Sequence, residues 1–283
     1  MRLKIIIVLT ILTGITGSPS ITIRPEVELV DNKQRISEQQ NLVTETDEVV
    51  EDVMATGELN PNHYPAQRAA KVVQHYINTL YGSPFKVFHL HRVHSGNAED
   101  VADSGRKYQL EISVQEMISN TSGKCSAEVF FSRGDKQHSP QVQVMCEELL
   151  KINTTKEEDA FYQHLKKNTS LLSAEYLPDS HGHIEPDMKP LWHLASVASS
   201  FIMLNESTQD TLFNMAQVAN VTQLATESDQ LKFEYLILLH EMVSQEIIRW
   251  KLLVSWCPPE GVKVLQMEKL PHCHECEKPP NTN

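Results

Sequence analysis

LLHEMVSQEIIRWKLLVSW, residues 238–256, begins with a His-Glu pair inside an apolar run and ends in a strict alternation. A zinc-binding helix of the H-E-x-x-H type needs a second histidine four residues after the first, on the same helical face. That position is Ser244, so the zinc-protease motif is absent. Ile248, Trp250, Leu252, Val254 and Trp256 alternate with Arg249, Lys251, Leu253 and Ser255, the period of a strand with one buried face. Phe233, Tyr235, Ile237 and Leu239 repeat that period upstream. The pattern predicts a hairpin, with His240-Glu241 near the end of one strand and Ser244-Gln245-Glu246 at or near the turn.

Working outward, the same elements recur. Pro65 opens a helix with Ala66, Ala69, Ala70, Val73, Tyr76, Ile77 and Leu80 at helical spacing and Gln67, Arg68, Lys71 and Gln74 outside. Four strand-like runs follow, FKVFHLHRV, KYQLEISVQ, CSAEVFF and QVQVMCE. Thr155 and Glu158 are spaced as a capping box for a short connecting helix through Ala160, Phe161 and Leu165. PDSHGHIEP supplies a turn cluster, and a second long helix buries Leu191, Leu194, Ala195, Ala198, Phe201 and Ile202. A poorly patterned run near 211–224, the hairpin strands and a short VKVLQ complete the second set. Helix followed by four strands thus occurs twice, counted from Pro65 and Pro186. A long helix laid on a four-stranded antiparallel sheet buries one face of each, so the fold class is α+β with two tandem modules.

The termini read differently. Arg2 and Lys4, the run IIIVLTIL and TGITGS predict a signal peptide over residues 1–17, too short to span a membrane. Residues 18–60 carry ten acidic against three basic residues and no aromatic, the composition of a disordered acidic extension. ETDEVVEDVMA, 45–55, is compatible with a short helix. The formal charge of −12 argues against nucleic acid and anionic membranes as partners. Five glycosylation sequons begin at Asn120, Asn153, Asn168, Asn205 and Asn220. Together these predict a secreted glycoprotein of the extracellular matrix space.

YPAQRAAKVVQHYIN, KCSAEVFF, EEDAFYQHLK, LPDSHGHIEP, LWHLASVASSFI and LLHEMVSQEIIRW, in this order, carry a further signal. Over about residues 60–270 the chain resembles the latexin family of cystatin-like proteinase inhibitors. KCSAEVFF with a second Cys after QVQV, and PDSHGHIEP, look closer to its retinoid-responsive and eggshell-matrix branch. The resemblance implies two cystatin-like modules, residues 61–150 and 186–270. A connecting helix and turn lie at 151–185, and a His/Cys-containing tail at 271–283. It implies inhibition of A-type zinc metallocarboxypeptidases through the hairpin, with His240, Ser244, Gln245 and Glu246 in contact with the protease, together with Ile247, Ile248 and Trp250. Glu241-Met242-Val243 stands where the family leads one to expect Asn-Ile-Ala. Arg249 stands in place of a proline and frees the backbone there.

Other constellations are weaker. Cys125 and Cys146 are equidistant from a turn at Asp135-Lys136, which places them opposite each other and predicts a disulfide in an oxidising compartment. Cys257, Cys273 and Cys276 remain, and the simplest count pairs Cys257 with the tail. His272, Cys273, His274 and Cys276 are too closely spaced for a two-plus-two zinc site, so no metal is expected. Neither the His89/His91 nor the His181/His183 pair has an identifiable third ligand. Arg133-Gly134-Asp135 spells the integrin cell-attachment tripeptide at a hairpin tip, a motif common by chance. QVQVM has Met145 where the Q-x-V-x-G turn of cysteine-protease inhibitors needs glycine. With no phosphate loop, nucleophile elbow or catalytic triad motif, the chain reads as no enzyme and as needing no cofactor. Two function classes survive: a secreted inhibitor, and a glycosylated matrix scaffold whose acidic extension contacts mineral or matrix proteins.

Overall fold

Two helices of 18 residues, α1 (Tyr64–Tyr81) and α3 (Lys189–Glu206), organise the molecule. The computed structural model describes residues 56–102, 104–134, 139–168, 170–225 and 229–271, all within one unit. Each helix has a proline in its first turn, Pro65 and Pro190, where the missing N–H would be unsatisfied in any case. Pro190, rather than Pro186, is therefore the counterpart of Pro65; Pro186 starts the 3-10 turn that precedes α3.

α1 packs on an antiparallel sheet of five strands, β1 (Gly57–Leu59), β2 (Phe88–Val101), β3 (Gly105–Glu116), β4 (Ser122–Ser132) and β5 (Gln141–Met145), which lie side by side in chain order. The second sheet is again antiparallel. It is formed by β6 (Ser173–Leu177), β7 (Phe213–Leu224), β8 (Leu231–Glu241), β9 (Glu246–Cys257) and β10 (Gly261–Lys269), likewise in chain order, and α3 packs on it. Both sheets thus have five strands instead of the four expected. The added strands lie at an edge and precede the helix. By composition Gly57–Leu59 belongs to the acidic extension and Ser173–Leu177 to the connector. The first, of three residues, is too short to show an alternation, and the second is interrupted at Tyr176, which takes φ 54° and is skipped in the pairing with β7.

Bulges explain the other strands that were hard to read. β7 shifts register between Met215 and Gln217 and again between Val218 and Asn220. Each extra residue flips the inward face, so the period of two is lost over 211–224. β2 shifts at Leu90/Arg92 and Val93/Ser95 and β10 at Val264/Gln266, and both strands run well past the predicted FKVFHLHRV and VKVLQ. β8 and β9 pair without a shift, which is why their alternation was legible.

The cores lie between each helix and its sheet. Ala66, Ala70, Val73 and Ile77 meet Phe88, Tyr108, Ile112 and Val129 in one. Leu191, Leu194, Ala198 and Ile202 meet Phe233, Tyr235, Ile237, Leu252 and Trp256 in the other. Gln74, expected outside, is buried because its Oε1 accepts the Leu90 N–H at 2.9 Å. α1 also packs on α3. Gly82, just past the end of α1, lies against α3: a Cβ there would be 2.6 Å from a Val197 methyl. The connector forms α2 (Thr155–Lys167), whose entry differs from the expected box: Thr154 Oγ1 donates to Glu158, and Asn153 Oδ1 accepts the Thr155 N–H. Glu158 in turn accepts from Ser83, and Phe161 packs between Phe85 and Trp256, fastening α2 to both sheets' surroundings.

Candidate functional site

Glu241 is the last residue of β8 and stands directly opposite Glu246, the first of β9, so Met242–Gln245 form a four-residue turn. The Glu241 side chain points inward and is 6% exposed. Its carboxylate accepts N–H bonds from Leu212 at 2.9 Å, Val243 at 3.1 Å and Ser244 at 2.6 Å. Burial acts to raise its pKa, but these donors outweigh burial and hold the group below the usual glutamate range. A charged acceptor gathering turn N–H groups fixes the loop before any partner arrives. Gln245 adopts the left-handed conformation at φ 62°, and its Nε2 donates back to Met242 O, closing the turn. Such a φ is uncommon for a residue other than glycine or asparagine.

The fixed turn presents apolar side chains to solvent: Met242 is 39%, Val243 50% and Ile247 47% exposed. His240 is half-buried on β8 opposite Ile247, and Ser244, Gln245 and Glu246 are exposed. The structure therefore brings the four predicted contact residues to one tip. It adds Glu241, Met242 and Val243, the segment noted above as departing from the family. Glu241 was missed because a glutamate at a strand end reads as a solvated turn residue. The signal that marks it is a repeat: Glu-Met-Ile-Ser-Asn at 116–120 and Glu-Met-Val-Ser-Gln at 241–245 are 125 residues apart, the spacing of Tyr64 and Lys189.

The remaining predicted sites are dispersed. Cys125 and Cys146 form a disulfide, with Cα atoms 4.5 Å apart, that ties β4 to the residue after β5. Asn120, Asn153, Asn168 and Asn205 are exposed. Asn220 is half-buried within β7. Of the cell-attachment tripeptide, Arg133 forms an ion pair with Asp100 at 3.3 Å, and Asp135 lies outside the described residues. Asp179 accepts the His181 and His183 N–H groups. Among the described residues no group of three or more His, Cys, Asp or Glu is placed to hold a metal, and no helix is long and apolar enough to cross a membrane. The signal-peptide and short-helix assignments fall at 1–17 and 45–55, outside the described residues, as does the tail from residue 272.

Cys257 is buried at the end of β9, opposite Gly261, and Cys273 and Cys276, with which the simplest count pairs it, lie outside the described residues.

Comparison with known proteins places this geometry. A family model described as Latexin matches residues 59–274. The chain is 38% identical to human latexin over 215 residues, 76% of this chain and 97% of the human protein. It is 33% identical to human retinoic acid receptor responder protein 1 over 223 residues, 75% of this chain and 73% of that protein. It is also 32% identical to ovocalyxin-32 of Gallus gallus over 208 residues, 73% of this chain and 74% of that one. These are the family and the branch to which the sequence resemblance pointed.

Proposed function

The chain belongs to the latexin family, and from that premise we propose that it is a secreted proteinase inhibitor whose Met242–Gln245 tip enters the cleft of an A-type zinc metallocarboxypeptidase. The observation that carries this reading is the Glu241 carboxylate, which spends a buried charge on holding an exposed apolar turn. A loop ordered in advance avoids the entropic cost of docking, and a central apolar anchor flanked by polar groups is the usual make-up of an interface hot spot. Here the anchor is Met242 and Val243, with His240, Ser244, Gln245 and Glu246 around it.

The test is a titration of the oxidised, glycosylated protein against A-type and B-type metallocarboxypeptidases. Tight inhibition of the A type is expected, weakened about tenfold by Gln245→Ala, which removes both a contact and the bond that closes the turn. Inhibition unaltered by that change would move the site elsewhere.

The acidic segment supports a second role. Residues 18–60 have a net charge of −7, and no EF-hand loop is present, so contact with mineral or matrix would be diffuse and additive. Because β1 starts at Gly57, the deletion that tests it is 18–55. Loss of binding to calcium mineral and matrix with an unchanged thermal midpoint is expected; retained binding would end this reading.

A further inference from the structure

The first sheet ends β3 as the second ends β8. Glu116 is buried, and its carboxylate accepts the N–H groups of Val87 at 3.2 Å, Ile118 at 3.0 Å and Ser119 at 2.7 Å. These donors are the counterparts, 125 residues earlier, of Leu212, Val243 and Ser244 around Glu241. Met117 N–H donates to Val87 O at 2.9 Å, and Met242 N–H to Leu212 O at 2.8 Å. Asn120 holds φ 57° where Gln245 holds φ 62°. Even the exposed pair is matched, Met117 at 37% and Ile118 at 45% beside Met242 and Val243.

The buried glutamate has a folding role in both places, whereas the apolar pair lies outside both cores. Tight turns favour Gly, Asn, Asp, Ser and Pro, and exposed Met with Ile or Val adds nothing to either core. One chemical difference separates the tips. Asn120 begins the sequon Asn120-Thr121-Ser122, whereas Gln245 has no such context. Asn120 and Ser122 are both exposed.

We propose that Met117–Asn120 is a second docking tip for the same class of metallocarboxypeptidase, closed in the secreted protein by an N-linked glycan on Asn120. The inference rests on the inhibitor reading of the Met242–Gln245 tip. A branched glycan at the left-handed position would cover Met117 and Ile118 and leave one tip free per chain.

The experiment uses the full secreted chain and an A-type metallocarboxypeptidase, with peptide mass mapping of Asn120. Val243→Asp places a charge in the desolvated centre of the free tip and is expected to lower potency about 100-fold. Val243→Asp/Ser122→Ala loses the Asn120 glycan without altering the turn, and potency is expected to return to within about tenfold of wild type. Adding Ile118→Asp is expected to abolish it again. A wild type that inhibits while the double variant stays inactive overturns the second tip and leaves the inhibitor reading intact. An unmodified Asn120 overturns the closure. If neither wild type nor Ser122→Ala inhibits, both readings fall together.

Discussion

Glu241→Ala is expected to abolish tight inhibition and to lower the stability of the folded chain by about 2–4 kcal/mol, because three N–H groups lose one charged acceptor. Leu212 is half-buried and its N–H cannot be fully rehydrated, whereas Val243 and Ser244 are exposed residues of the tip, where water can replace the lost acceptor. Most of the loss in potency therefore comes from a tip that must be ordered at the moment of docking. Glu116→Ala makes the same change in the first sheet. It is expected to cost similar stability and leave potency within about twofold, since the two sites are independent.

The same carboxylate predicts a pH dependence. Its folded pKa lies below the ordinary glutamate value, despite burial, because of its N–H donors. Its contribution is present above the unfolded pKa of about 4.3 and is lost as pH falls through the folded value. Urea denaturation of wild type and Glu241→Ala from neutral to acid pH measures both effects. Parallel stability curves, or unaltered potency, would remove Glu241 from the site.

Trp256→Ala is expected to have the largest effect on the fold, about 3–5 kcal/mol. Its ring is fully buried between the second sheet and α2, 5.8 Å from Phe161 and 6.2 Å from Tyr162 between ring centroids. For a chain of this size the thermal midpoint should fall by roughly 8–15 °C. Trp256→Phe should cost far less, about 1–2 kcal/mol, because the indole N–H has no hydrogen-bond partner among the described residues. Equal losses for the two variants would show that the indole itself, and not its volume, joins α2 to the sheet.

Much of the plan was legible because it rests on local periodicity. Both long helices, the connecting helix, the unbulged pair β8 and β9 and the Cys125–Cys146 bridge follow from spacing. So does the failure of the zinc motif at Ser244. The family was legible because long segments occur in order. The edge strand Gly57–Leu59 is too short to carry a period, Ser173–Leu177 breaks its own at Tyr176, which takes φ 54° and drops out of the pairing with β7, and the bulges in β7 and β10 reverse the inward face partway along.

By itself, then, the sequence determined the class, α+β with a helix-and-sheet unit used twice, and the hairpin on which the proposed function rests. Only the tertiary structure decided that the units have five strands and that Glu241 and Glu116 are buried. The reason is that a carboxylate at a strand end is solvated by default. Its burial depends on the Leu212 or Val87 N–H, about 29 residues away along the chain, being delivered to it by the neighbouring strand. Hydrogen-bond partners that distant leave no periodic trace, whereas the apolar alternation they hold in place does.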